Sequence, residues 1–152
     1  MKAVIAILVP LLVGFVSGFA TASSVDGWYA TIAKPSFNPP NWIFAPVWTT
    51  LYILMGIASY LVWKQPATTQ RNNALRLYGV QLFLNFWWSV LFFGLQSPGW
   101  AMIEIILLLA SILATMLAFR KQSVLASWLL LPYLLWVSFA TALNAAIWQL
   151  NS

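Results

Sequence analysis

The sequence predicts an all-α integral membrane protein, a bundle of five transmembrane helices forming one domain over residues 1–152. Three observations carry that prediction. Hydrophobic residues make up 62% of the chain and charged residues 6%, where a soluble domain has roughly 45–50% and about 25%. A bilayer core takes about 20 consecutive apolar residues per helix, and five such runs can be read, at 3–22, 43–63, 77–95, 100–119 and 125–148. Each break between runs carries helix-stopping chemistry. Helices are favoured over barrel strands because the runs are long and continuous, and a helix satisfies its own backbone hydrogen bonds in lipid.

The first run follows Lys2 and places Gly14, Gly18 and Ala22 at four-residue steps, a small-residue stripe suited to close helix packing. It is read as a spanning helix rather than a signal peptide, although Lys2 and Ala20-Thr21-Ala22 mimic an n-region and a cleavage site. A Pro-rich loop from Ser23 to Trp42 leads into the second run, and a polar stretch from Lys64 to Arg76 separates it from the third. The tight Gln96-Ser97-Pro98-Gly99 turn opens the fourth run, and Arg120-Lys121-Gln122 closes it. Lys2, Lys64, Arg71, Arg76, Arg120 and Lys121 then share one side of the membrane, against Lys34 alone on the other. That asymmetry places the N-terminus in the cytoplasm and the Pro-rich loop and Asn151-Ser152 outside, as in a multi-pass bacterial inner-membrane protein. No internal repeat is evident, which argues against a transporter built from two repeated halves.

Seven Lys/Arg and two Asp/Glu are too sparse to form a phosphate-tracking patch, so nucleic acid is not an expected partner. The chain has no Cys and no His, which removes thiol chemistry, the usual zinc ligands, the usual haem axial histidine and the commonest general base. No metal site and no obligatory cofactor are expected. Neither a Gly-rich phosphate loop nor paired carboxylates nor a nucleophile with its base can be assembled, so hydrolase and kinase chemistry is excluded. Glu104 is the one carboxylate inside a span. An intramembrane acid is a candidate proton or cation site, yet Glu104 lies only about 6 Å of helix rise beyond Trp100 and is expected to snorkel or bond its own helix. Asp26 is expected to cap a helix or pair with Lys34.

Ten Trp among 16% aromatic residues are more than interface anchoring demands. Trp28, Trp42, Trp63, Tyr78, Trp100, Trp128 and Trp148 fall at helix ends, where an interfacial belt explains them. Others lie deeper, and helical spacing groups them into stripes: Trp48, Tyr52, Gly56 and Ser59; Gln81, Asn85, Trp88 and Phe92; Tyr133, Trp136, Ala140 and Asn144. Rings mixed with amides do not suit a lipid-facing surface, because an unpaired amide in hydrocarbon is costly, so these faces should point inward. Their upper members cluster in the half of the bundle beneath the Pro-rich loop. Two readings remain open at this point, an aromatic-packed interface with amides bonded across helices, and a pocket for a flat, mostly apolar ligand.

The residues also resemble a known family. Trp28-Tyr29, Lys34-Pro35-Ser36-Phe37-Asn38-Pro39-Pro40, Trp42-Ile43-Phe44, Val47-Trp48-Thr49 and Tyr60-Leu61-Val62-Trp63 are similar to the signature of the TspO/MBR family. These are the tryptophan-rich sensory proteins, related to the mitochondrial translocator protein or peripheral benzodiazepine receptor. Gln81-Leu82, Leu84-Asn85, Trp88-Ser89, Pro132-Tyr133-Leu134-Leu135-Trp136 and Leu143-Asn144 extend the likeness over nearly the whole chain. The resemblance implies a five-helix bundle, often a homodimer, whose cavity beneath the first loop binds protoporphyrin IX, haem and synthetic benzodiazepine-type ligands, and in some members sterols. It carries the family's pocket onto Tyr29, Pro40, Trp48, Tyr52, Asn85, Phe92, Trp136, Ala140 and Asn144, with Trp88 adjoining. It also matches Trp48 and Trp136 to tryptophans linked in bacterial relatives to light-dependent porphyrin breakdown. Ser89 and Val90 depart from the pocket of some relatives, and Ala145 and Gln149 stand where animal members carry a Tyr and a basic residue for cholesterol. Sterol binding by that motif is therefore not expected. The expected function is membrane tetrapyrrole binding in sensing or regulation, with transport of porphyrins or amphipathic cations, or photochemical porphyrin breakdown, as alternatives.

Overall fold

The computed structural model describes residues 1–151, apart from the side chains of Ala20 and Ser23; Ser152, expected to face outward beside Asn151, lies outside the described residues. The helices are α1 (Lys2–Val25), the single turn α2 (Trp28–Thr31), α3 (Phe44–Trp63), α4 (Thr69–Ser89), α5 (Pro98–Arg120), α6 (Val124–Leu129) and α7 (Leu131–Asn151). A 3₁₀ turn, Asn41–Ile43, leads into α3, and a π-helical turn, Val90–Gly94, extends α4. Five segments are long and apolar enough to cross a membrane: Lys2–Phe19, Asn41–Trp63, Thr69–Gly94, Pro98–Arg120 and Val124–Asn151.

The helix ends show where local chemistry outweighs hydropathy. α4 starts at Thr69 rather than 77, because the Thr68 hydroxyl caps it by accepting from the Arg71 backbone N–H at 3.1 Å. The Arg71 guanidinium then reaches back to the carbonyls of Trp63 (3.0 Å) and Gln65 (3.2 Å), satisfying the open end of α3. The polar stretch is thus mostly helix, exposed beyond the apolar core. The fifth run is divided into α6, capped by Ser123, and α7, because Pro132 has no N–H to continue the ladder from α6. Pro98 occupies the first turn of α5, where a missing N–H costs nothing.

Packing differs between the two ends of the bundle. At the end bearing Lys2, Arg71 and Arg120, small and large side chains interlock, and Met55, Ala58, Val62, Ala74, Ile112, Phe119 and Ala126 are fully buried. α1 approaches α3 closely: a Cβ on Gly56 would lie 2.6 Å from the Ile7 Cα, and one on Gly14 would run into the Tyr52 ring. The stripe read from Gly14 and Gly18 is only half used this way, since Gly18 faces open space. Tyr78, assigned to the belt by its position, is instead buried and stacked on Phe119 at 5.8 Å. Trp28 likewise turns inward, edge-on to Phe92 at 5.7 Å, whereas Trp42, Trp100 and Trp128 remain exposed. At the opposite end, beneath the loop, the α3 and α7 backbones stay apart and meet through rings, Trp48 and Phe44 each lying 6.4 Å from Trp136.

Candidate functional site

Rings from four elements converge beneath the loop. On α3, Trp48 stacks on Tyr52 at 5.7 Å; on α4, Trp88 stacks on Phe92 at 5.3 Å. The π turn, closed by Leu95 N–H donating to Val90 O at 2.7 Å, widens the helix by a residue, so adjacent Phe92 and Phe93 are both buried. Gln96, at φ 54°, then turns the chain through the left-handed region toward α5. From above, Tyr29 of α2 plugs the cluster, 1% exposed, against Phe44, Phe92 and Phe93. Its hydroxyl donates to Asn38 Oδ1 at 2.6 Å. Burial pushes the Tyr29 phenol up to about 12, against the opposing pull of the Asn38 bond, so it stays protonated as a donor.

These rings surround a cavity of about 710 Å³, within the range of roughly 300–1,000 Å³ typical of small-molecule sites. Tyr29, Trp48, Tyr52, Trp88, Phe92, Trp136, Ala140 and Asn144 all line it. Two residues assigned to the pocket do not. Pro40 is exposed at the start of the 3₁₀ turn, and Asn85 lies below the cavity in a polar floor. There the Tyr52 hydroxyl donates to Asn85 Oδ1 (2.6 Å), Asn85 Nδ2 donates to the Tyr133 hydroxyl (2.8 Å), and Tyr133 donates to Gln81 Oε1 (2.7 Å). The chain of bonds spans α3, α4 and α7. Asn144 is fixed similarly, accepting from Trp88 Nε1 at 3.0 Å and donating to Pro98 O at 2.8 Å.

The wall that sequence reading missed is α1. Leu11, Phe15, Ser17, Gly18 and Thr21 line the cavity, with Phe93, Phe139 and Leu143 from other helices. Gly18 was the available signal, read as a packing surface but serving as a concavity. The charged groups also depart from expectation. Glu104 is buried, 8% exposed, and among the described residues neither carboxyl oxygen has a hydrogen-bond partner, so it neither snorkels nor bonds its helix. α5 buries it in the interior of the bundle. Lys34 does not pair with Asp26; its ammonium donates to the carbonyls of Tyr29 (2.7 Å) and Ile32 (3.2 Å) and lies 5.0 Å over the Tyr29 ring. Among the described residues, no three His, Cys, Asp or Glu side chains converge to hold a metal.

The TspO/MBR family profile matches residues 6–149. The chain is 46% identical over 152 residues to the tryptophan-rich protein TspO of Archaeoglobus fulgidus, covering 100% of this chain and 98% of that one. It is 48% identical to the tryptophan-rich protein TspO of Chlorobaculum tepidum over 93% of this chain and 90% of that one. It is 45% identical to the human translocator protein over 82% of this chain and 75% of that one. With five membrane-spanning helices and this breadth of similarity, the chain belongs to the TspO/MBR family.

Proposed function

We propose that this protein binds a tetrapyrrole such as protoporphyrin IX or haem beneath the loop and acts as a membrane sensor or regulator. The observation that carries the reading is the cavity of about 710 Å³ walled by Trp48, Tyr52, Trp88, Phe92 and Trp136. Trp48, Trp88 and Trp136 offer faces to a planar macrocycle, and Asn144 edges the same space. The chain has no His or Cys to ligate iron, so recognition runs through the ring, and metal-free porphyrin binds at least as well as haem. Tryptophan-fluorescence titration of the detergent-purified protein with protoporphyrin IX in dim light tests this. Saturable quenching near micromolar, about −8 kcal/mol, weakened in Trp136→Phe, supports the site; linear quenching indifferent to that substitution rejects it.

A second reading, transport of porphyrins or amphipathic cations, is favoured by one observation, the buried and unpartnered carboxyl of Glu104. It requires proteoliposome flux coupled to a pH gradient and abolished by Glu104→Gln. The basic end, carrying Lys2, Lys64, Arg71, Arg76, Arg120 and Lys121, belongs in the cytoplasm on this proposal, with the loop outside. A homodimer would use α4, where Gly79 faces open space and Val80, Phe83 and Trp87 are exposed. Cysteines introduced at Gly79 should crosslink in membranes, whereas ones at Gly14 should not.

A further inference from the structure

We propose that Asn151, the last described residue of α7, is the latch that holds the loop of residues 28–40 closed over the cavity. Asn151 Oδ1 accepts from the Ala33 backbone N–H at 2.9 Å, while Asn151 Nδ2 donates to the carbonyl of the same Ala33 at 2.8 Å. The side-chain amide thus pairs with both backbone groups of one residue, the N–H and the C=O of Ala33, as a strand neighbour would. Its second Nδ2 hydrogen goes to Ile147 O at 2.7 Å, anchoring the amide to its own helix. An asparagine offers two donors and an acceptor, and all are engaged.

The rest of the loop bonds inward. Tyr29 donates to Asn38, Lys34 to Tyr29 and Ile32, Thr31 to Trp28, and the Asn38 N–H to Pro35. Among the described residues, apart from the Ile43 N–H donating to Pro40 O at 3.1 Å where the loop runs on into the 3₁₀ turn, the hydrogen bonds tying 28–40 to another element end on Asn151. The remaining ties are apolar, among them ring contacts of Trp28 with Phe92, of Tyr29 with Phe44, Phe92 and Phe93, and of Phe37 with Phe139 at 6.0 Å. Ring contacts tolerate sliding, whereas the paired bonds fix register. Because Asn151 and Ala33 are exposed, water competes for those bonds, and the loop opens thermally rather than being locked. The latch consequently sets how fast a ligand enters and leaves. That last step rests on the proposed ligand site; the latch itself does not.

Hydrogen exchange on the ligand-free, detergent-purified full chain tests the latch, and stopped-flow protoporphyrin IX binding tests the gating. In Asn151→Ala, peptides containing Ala33 should exchange roughly five- to tenfold faster, the loss expected for two exposed hydrogen bonds. Asn151→Asp, which keeps the acceptor and loses the donors, should fall between. Association and dissociation of porphyrin should accelerate by a similar factor, with Kd within about threefold, as expected when both directions cross one barrier. Trp136→Phe should do the reverse, weakening Kd with loop exchange unchanged. Unchanged exchange at Ala33 overturns the latch, as does equal acceleration through residues 144–150, which would mean that α7 merely frays. Faster loop exchange with unaltered porphyrin rates overturns the gating. Failure of the native protein to bind porphyrin saturably would sink the ligand reading alone, with loop exchange still deciding the latch.

Discussion

The two ends of this bundle are built from the same apolar spans and are physically unlike. At the basic end, the small Ala58, Ala74 and Ala126 and the large Met55, Val62, Ile112 and Phe119 are all fully buried. At the loop end, large faces large: Trp48, Tyr52, Trp88, Phe92 and Trp136 hold the helices apart, and Gly18 recedes where a side chain could have filled the gap. Size pairing across helices, rather than hydrophobicity, decides whether a membrane bundle is solid or hollow.

Substitutions at glycines sharpen that contrast most. Gly56→Ala should destabilise by about 1–3 kcal/mol, because its Cβ meets Ile7 backbone that cannot yield. Thermal unfolding in detergent measures this, and Gly18→Ala should lie within about 1 kcal/mol of the native protein or above it, a helix interior favouring Ala over Gly. If the two substitutions cost the same, the packed and hollow ends are not distinct. Removing one hydroxyl from the floor between them comes next. Tyr133→Phe strands the Asn85 amide and Gln81 Oε1, and should cost about 1–2 kcal/mol by the same assay. In the hollow end the effect should fall on binding. Trp136→Phe is expected to weaken protoporphyrin affinity about tenfold, some 1.4 kcal/mol, while the melting temperature moves little. Smallest is Glu104→Gln, expected to leave stability unchanged or raise it by up to about 1 kcal/mol, since no bond to the carboxyl is lost. A clear loss of stability there would reveal a partner for Glu104 in the membrane.

Much of the site was legible in the residues. The stripes read from Tyr52, Gly56 and Ser59, from Gln81 through Phe92, and from Tyr133, Ala140 and Asn144 are buried, because a helix in lipid must turn its amides toward other helices. Trp48 and Trp136, on the same faces, are partly exposed because they border the cavity. Asn85 shows the boundary of such reasoning. Its spacing placed it on the correct face, but whether an amide meets a ligand or a tyrosine depends on which hydroxyl the next helix brings within 3 Å. Tyr78 shows another, since position at a helix end does not reveal that α5 supplies Phe119 to cover it.

The sequence by itself determined the five spans, the inward faces and the family, because period and hydropathy act within one helix and survive without its neighbours. Only the tertiary structure decided the rest. Arg71 closes the end of α3, α1 becomes a cavity wall, and Glu104 is left unpartnered. Asn151 finds Ala33 across the bundle. Each of these joins residues from different segments, and such pairings depend on how the helices are offset along and around one another. No local pattern encodes that offset, because it is fixed by the summed fit of all the interfaces at once.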